Sequence, residues 1–232
     1  MKNFAKELGS DFINLFFPKL CMGCMGVLIP SEKNICVHCQ LQLPFTYFHL
    51  QENNPVKEKF KTRLDIRQAT ALCYFQENSI IEKLLYQLKY RGQKQLGAFF
   101  GTLLGKELKS SINYQTIDAI IPVPLHQKRQ RKRGYNQVSL FGKTIAHYLG
   151  VPYIEDALVR TQNTKQLAKN YYEDREKILE NAFCLNLKDS VPKHWLLVDD
   201  IITTGATLNF CGRLILENPK NELSIAAIGY RI

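Results

Sequence analysis

Apolar positions along the chain change period several times. Phe4, Leu8, Phe12, Leu15 and Phe16 recur at helical spacing before Pro18, which predicts a short amphipathic helix docking the N-terminus. From residue 69 the period alternates. A strand is predicted over Ala69 to Phe75, helices over Ile80 to Tyr90 and Leu96 to Leu108, and a second apolar strand from Ile117 to Val123 that ends in Pro-Val-Pro. A helix fits Val138 to Leu149, a short strand lies near Ala157, and residues 161 to 180 read as a polar loop with a helix. Trp195 to Val198 form a buried strand, Thr207 to Glu217 a helix and Leu223 to Ile228 a last strand. Strands alternating with helices predict an α/β fold with a largely parallel sheet flanked by helices. The stretch 51 to 61 (QENNPVKEKFK) is polar and contains proline, so it reads as a linker. The chain then divides into residues 1–60, holding helix, cysteine module and linker, and residues 61–232, holding the sheet domain.

Composition changes this picture little. With 232 residues, 45% hydrophobic and 22% charged, the chain is expected to fold as a globular domain with a small appended module. The net charge of +10 suits a polyanion or an anionic substrate, and equally serves solubility. No stretch approaches the roughly 20 apolar residues of a bilayer span, and no signal-peptide pattern follows Lys2 and Lys6. The expectation is a cytoplasmic protein, not an integral membrane protein.

Cys21, Cys24, Cys36 and Cys39 form C-x2-C-x11-C-x2-C, two pairs of soft ligands on tight turns, as tetrahedral zinc prefers. Disulfides are the competing use, and His38 inside the second pair competes for one ligand position. Four protein ligands leave no open coordination site, so the zinc would be structural. Cys73, Cys184 and Cys211 read as small core residues. His126, His147 and His194 read as surface or core histidines rather than catalysts.

The run Trp195-Leu-Leu-Val-Asp-Asp-Ile-Ile-Thr-Thr-Gly-Ala-Thr-Leu208 places two carboxylates where a buried strand ends, then a small-residue loop opening a helix. Ligands bind at that edge of an α/β sheet. Backbone amides and hydroxyls of Thr203, Thr204, Gly205, Ala206 and Thr207 can surround a phosphate, aided by the helix dipole, which leaves Asp199 and Asp200 facing a sugar. Further back, positions 128 to 133 of KRQRKR hold five cations. That loop is a pyrophosphate clamp through Arg129 or Arg133, a nucleic-acid contact, or a solvated charged loop.

The D-D-x-x-x-T-G-x-T run resembles the phosphoribosyl-pyrophosphate signature of the type I phosphoribosyltransferases. With P-x-P-x4-R-x3-R-G-[FY]-N-Q over Pro122 to Gln137, the four cysteines and Leu88-Lys89-Tyr90-Arg91-Gly92, the resemblance narrows to the ComF (ComFC/GntX) family. It covers about Phe17 to Tyr230. It implies a type I phosphoribosyltransferase-like fold behind a zinc finger, with Asp199 and Asp200 holding ribose hydroxyls near the charge developing at the anomeric carbon. Magnesium would arrive with phosphoribosyl pyrophosphate, bound mostly through its phosphates and waters. A role in DNA uptake during natural competence is also implied, with single-stranded DNA or uptake proteins at the inner face of the membrane as partners. The acceptor for a transfer is not legible. The alternative is a non-catalytic single-stranded-DNA adaptor with a regulatory nucleotide site. Between Arg160 and Phe183 the family carries an active-site flap, and there Ile178 stands where it has Asn.

Overall fold

The computed structural model describes residues 16–125, 131, 134–160, 183–186 and 194–232. Four strands, β1 (Ala69–Phe75), β2 (Ala119–Pro122), β5 (His194–Ile202) and β6 (Glu222–Arg231), form one sheet in the order β1-β6-β5-β2. All three pairings are parallel. β3 (Leu158–Arg160) and β4 (Phe183–Leu185) form a separate antiparallel pair, so the strand expected near Ala157 lies outside the main sheet. The expected N-terminal helix falls almost wholly, and the 161–180 segment wholly, outside the described residues.

Both faces of the sheet are covered, because successive side chains of a strand point to opposite sides. On one face Leu72, Ile120, Leu196, Val198 and Ala226 pack with α3 (Ile80–Tyr90), α4 (Gln95–Ser110) and α5 (Ser139–Leu149). On the other, Ala71, Ile121, Trp195, Leu197 and Ala227 pack with α2 (Pro55–Phe60) and α6 (Ala206–Leu216). Helix ends follow their local chemistry. Ser79 caps α3 by accepting from Glu82 N, while the Glu82 carboxylate accepts from Asn78 N, just before the cap, at 2.7 Å, a relative of the capping box. α4 and α5 approach closely along Gly97, Gly101 and Gly105. A Cβ on Gly101 would lie 2.7 Å from Phe141 O and from Thr144 Cβ.

Three expectations are corrected. The stretch expected as a linker holds α2: Asn54 caps it through Val56 N and Lys57 N at 3.0 and 3.1 Å, with Pro55 at its first position, a pairing that starts helices. Val56 and Phe60, four apart on one face, are buried against the sheet. The Trp195 strand does not stop at the carboxylates but runs through them to Ile202, held by pairing of Ile201 and Ile202 with Gly229 and Tyr230. Cys184 is exposed, whereas Cys73 and Cys211 are core residues. His194 is structural: its ring nitrogens meet Thr116 Oγ1 at 2.9 Å and Ser224 Oγ at 2.8 Å. Among the described residues no helix is long and apolar enough to cross a membrane.

Candidate functional site

The cysteine module closes on itself. The four sulfurs of Cys21, Cys24, Cys36 and Cys39 lie within 4.8 Å of one another, with Cys24 and Cys36 Sγ 3.7 Å apart. A tetrahedron of 2.3 Å zinc–sulfur bonds has edges of about 3.8 Å. Backbone amides point at the sulfurs: Gly23 N and Cys36 N at Cys21 Sγ, Gly26 N at Cys24 Sγ, Cys39 N at Cys36 Sγ, all at 3.3 to 3.4 Å. These donors favour thiolates. Cys36 also N-caps the short helix α1 (Val37–Leu41), and His38 faces Gln42 at 3.0 Å rather than joining the cluster. Cys21 and Cys39 are buried in the same apolar cluster as Leu72 and Ile81, so the module rests on β1 and α3.

The second candidate site lies at the carboxyl ends of β5 and β2, which are adjacent in the sheet and held together there by Val123 N donating to Val198 O at 2.9 Å. Asp200 is buried. Its Oδ2 accepts from Lys89 Nζ at 3.0 Å and Gln137 Nε2 at 2.6 Å. Asp199 is half-buried, and its Oδ1 accepts from Asp200 N at 2.8 Å. Burial, and then the charge of Asp200, push the Asp199 carboxyl up to about 8, against the pull of the Asp200 amide and Lys89.

Past the strand, Thr203 and Thr204 are exposed and Gly205 is buried. Gly205 takes φ +75 and lies under the Phe60 ring, whose Cζ would be 2.7 Å from an added Cβ. Only glycine meets both demands. Lys59 Nζ donates to Thr203 O at 2.6 Å, so α2 supports the loop from below. Ala206 and Thr207 open α6, where Ala206 N donates to Thr204 Oγ1 at 3.4 Å and the first-turn amides have no intrahelical acceptor. The structure thus brings the two acids, the small-residue loop and a helix N-terminus to one edge of the sheet. Arg129 and Arg133 lie outside the described residues.

The end of the basic loop anchors the site. Gly134 turns the chain at φ +73, the Tyr135 hydroxyl donates to Leu88 O, and Asn136 Nδ2 donates to Val123 O at 3.1 Å. Gln137 then reaches Asp200. Tyr135, Asn136 and Gln137 therefore tie α3, β2 and β5 together. Two cavities, about 530 Å³ beside α2 and about 660 Å³ between the cysteine module and α3, contain neither acid.

Comparison with known proteins finds relatives that span most of the chain. Competence protein F of Haemophilus influenzae is 28% identical over 226 residues, spanning 90% of this chain and 96% of that protein. The DNA utilization protein YhgH of Escherichia coli O157:H7 is 29% identical over 81% of this chain and 80% of its own length. Competence protein ComFC of Bacillus subtilis is 25% identical over 87% and 80%. The chain is a homologue of these proteins. No protein-family model matches it. Among solved structures, the adenine phosphoribosyltransferases of Leishmania tarentolae and Leishmania donovani overlap 78% and 76% of the chain and 89% and 80% of their own, with TM-scores of 0.39 and 0.38 at 13% and 12% identity.

Sequence reasoning gave no role to four residues of this site. Lys89 and Gln137 stood inside quoted motifs without a function, and their signal was a cation and an amide at the ends of conspicuous motifs. Lys59 and Phe60 were hidden in the supposed linker, where the Asn54-Pro55 helix start was the available cue.

Proposed function

We propose that the chain binds phosphoribosyl pyrophosphate at the β5–α6 edge and acts as a phosphoribosyltransferase-type protein in the use of imported DNA. The observation that carries the reading is the Asp199–Asp200 pair set directly before a glycine-turned loop and a helix N-terminus at the carboxyl edge of a parallel sheet. Loop amides and hydroxyls from Thr203 to Thr207 would take the 5-phosphate, and the acids the ribose hydroxyls. Arg129 and Arg133 are proposed to clamp the pyrophosphate. Carboxylates beside an anomeric carbon that turns cationic stabilise the transition state more than the ground state.

Magnesium fits this donor set, because carboxylate and phosphate oxygens are its preferred ligands. Asp199 would meet it together with the ligand's phosphates, and the ion would neutralise charge on the departing pyrophosphate. Zinc is proposed for Cys21, Cys24, Cys36 and Cys39 as a structural ion. The names of the relatives support the link to competence and DNA use, and the cytoplasm is where phosphoribosyl pyrophosphate would be met.

Calorimetry with phosphoribosyl pyrophosphate and magnesium tests the reading, followed by pyrophosphate release over candidate bases. Saturable binding that Asp199→Asn weakens by tenfold or more is expected. Equal binding by parent and the Asp199→Asn, Asp200→Asn double variant would remove it. A single-stranded-DNA adaptor is the second reading. It is favoured by the charge of +10 and by the exposed Tyr86–Tyr90 ring pair, 5.2 Å apart with Arg91 over Tyr86, since stacking rings beside cations suit single strands. Affinity that falls steeply with salt and ignores Asp199→Asn would select it.

A further inference from the structure

We infer that Lys89 divides the acid pair into two jobs, fixing Asp200 as a buried positioning anion and leaving Asp199 to receive the sugar hydroxyls. The inference rests on the phosphoribosyl reading of this edge and goes beyond it, because the signature alone treats the two acids as equivalent. In the structure they are not. Asp200 Oδ2 is occupied by two donors, Lys89 Nζ at 3.0 Å and Gln137 Nε2 at 2.6 Å, with the side chains of Lys89 and Asp200 only 18% and 12% exposed. Both donors are themselves held. Lys89 sits in the last turn of α3, one residue after the Leu88 carbonyl that accepts the Tyr135 hydroxyl, and Gln137 follows two residues after that tyrosine. Among the described residues, Asp199 Oδ1 accepts only the amide of its neighbour Asp200.

The charged surroundings differ in the same sense. Among the described residues, the titratable groups facing the pair are Lys89 from α3 and Cys211 from α6. Arg160 of β3 adds its charge near Cys211. Lys89 pairs directly with Asp200 at 3.0 Å, and among the described residues no cation is ion-paired with Asp199. A carboxyl that no side-chain donor occupies can meet a hydroxyl, whereas an anion pinned by an ammonium and an amide suits a fixed support. Removing one partner of a buried pair leaves the other uncompensated. Lys89 and Asp200 should therefore behave as a unit, and Asp199 should not.

The experiment is calorimetric titration of magnesium phosphoribosyl pyrophosphate into the full chain and into Lys89→Met, Asp199→Asn and Asp200→Asn, from about pH 6 to 9, with ligand-free melts of each. Asp200→Asn should lower the ligand-free melting temperature, and Lys89→Met combined with it should recover part of the loss, because no lone charge remains. Asp199→Asn should keep or raise the melting temperature while weakening binding by about tenfold or more. Lys89→Met alone should also lower the ligand-free melting temperature, because buried Asp200 is left without its cation. Equal melting temperatures for the two Asn variants with equal loss of ligand would overturn the division, as would a Lys89→Met melting temperature equal to the parent's. If the parent binds no ligand, the phosphoribosyl reading fails and takes the role of Asp199 with it. A parent that binds while the variants show no division overturns this inference alone.

Discussion

Burial and the Asp200 charge raise Asp199 from 3.8 to about 8, and the consequence for stability has a definite sign. Between those values the unfolded chain has released its proton while the folded chain keeps it, so the folded state binds more protons and stability falls as pH rises. Asp199→Asn removes that loss. Each tenfold change in proton affinity is worth about 1.4 kcal/mol, and a chain of this size gains about 2–4 °C per kcal/mol. The variant should melt about 3 °C or more above the parent at pH 8, with the gap closing toward pH 4. Scanning calorimetry across that range reads it, and a gap independent of pH would contradict the assignment.

At the scale of elements, α2 is the support of the proposed phosphate loop. Phe60 covers Gly205, and Lys59 holds the Thr203 carbonyl. Phe60→Ala should cost about 3–5 kcal/mol through the cavity it leaves and should also weaken phosphoribosyl pyrophosphate binding. Urea unfolding and titration measure the two effects. Gly101→Val is the contrasting case, because its methyls would meet Phe141 O and Thr144 far from the loop. It should cost about 1–3 kcal/mol by overpacking and leave affinity unchanged in the folded fraction. The elements themselves were legible where one periodicity ran uninterrupted: β1 and α3 have the bounds that the apolar pattern predicts. The extension of β5 through two aspartates was not, since ionisable residues resemble a strand end unless the ladder with Gly229 and Tyr230 is known. α2 was missed because six residues are too few for a period, and Val56 and Phe60 are buried against sheet and loop residues distant in sequence. The acids and the loop were legible as a motif, whereas Lys89 reaches Asp200 only through the packing of α3 on the sheet.

At the scale of the whole molecule, the proposed division at residue 60 meets a structure in which module and sheet share contacts. Residues 44 to 46 line the edge of β1: Thr46 N donates to Leu72 O at 3.0 Å, Tyr74 N to Pro44 O at 2.8 Å, and Phe45 bridges Cys73. That covers an edge otherwise open to pairing. Ile35, Cys39 and Leu43 continue one apolar cluster with Leu72, Ile81 and Leu84, so ordering of the module and packing of α3 are coupled. If the four thiolates hold zinc, its binding energy is folding energy for the module, and part of it passes to the sheet domain through that cluster. Chelation should therefore lower the melting temperature of the whole chain by at least about 5 °C in one transition. Cys36→Ser should reproduce the shift without chelator, and added zinc should restore the parent alone. Metal analysis with calorimetry before and after chelation decides the matter. Two transitions, the upper one unmoved by chelator, would make the module and residues 61–232 independent folding units.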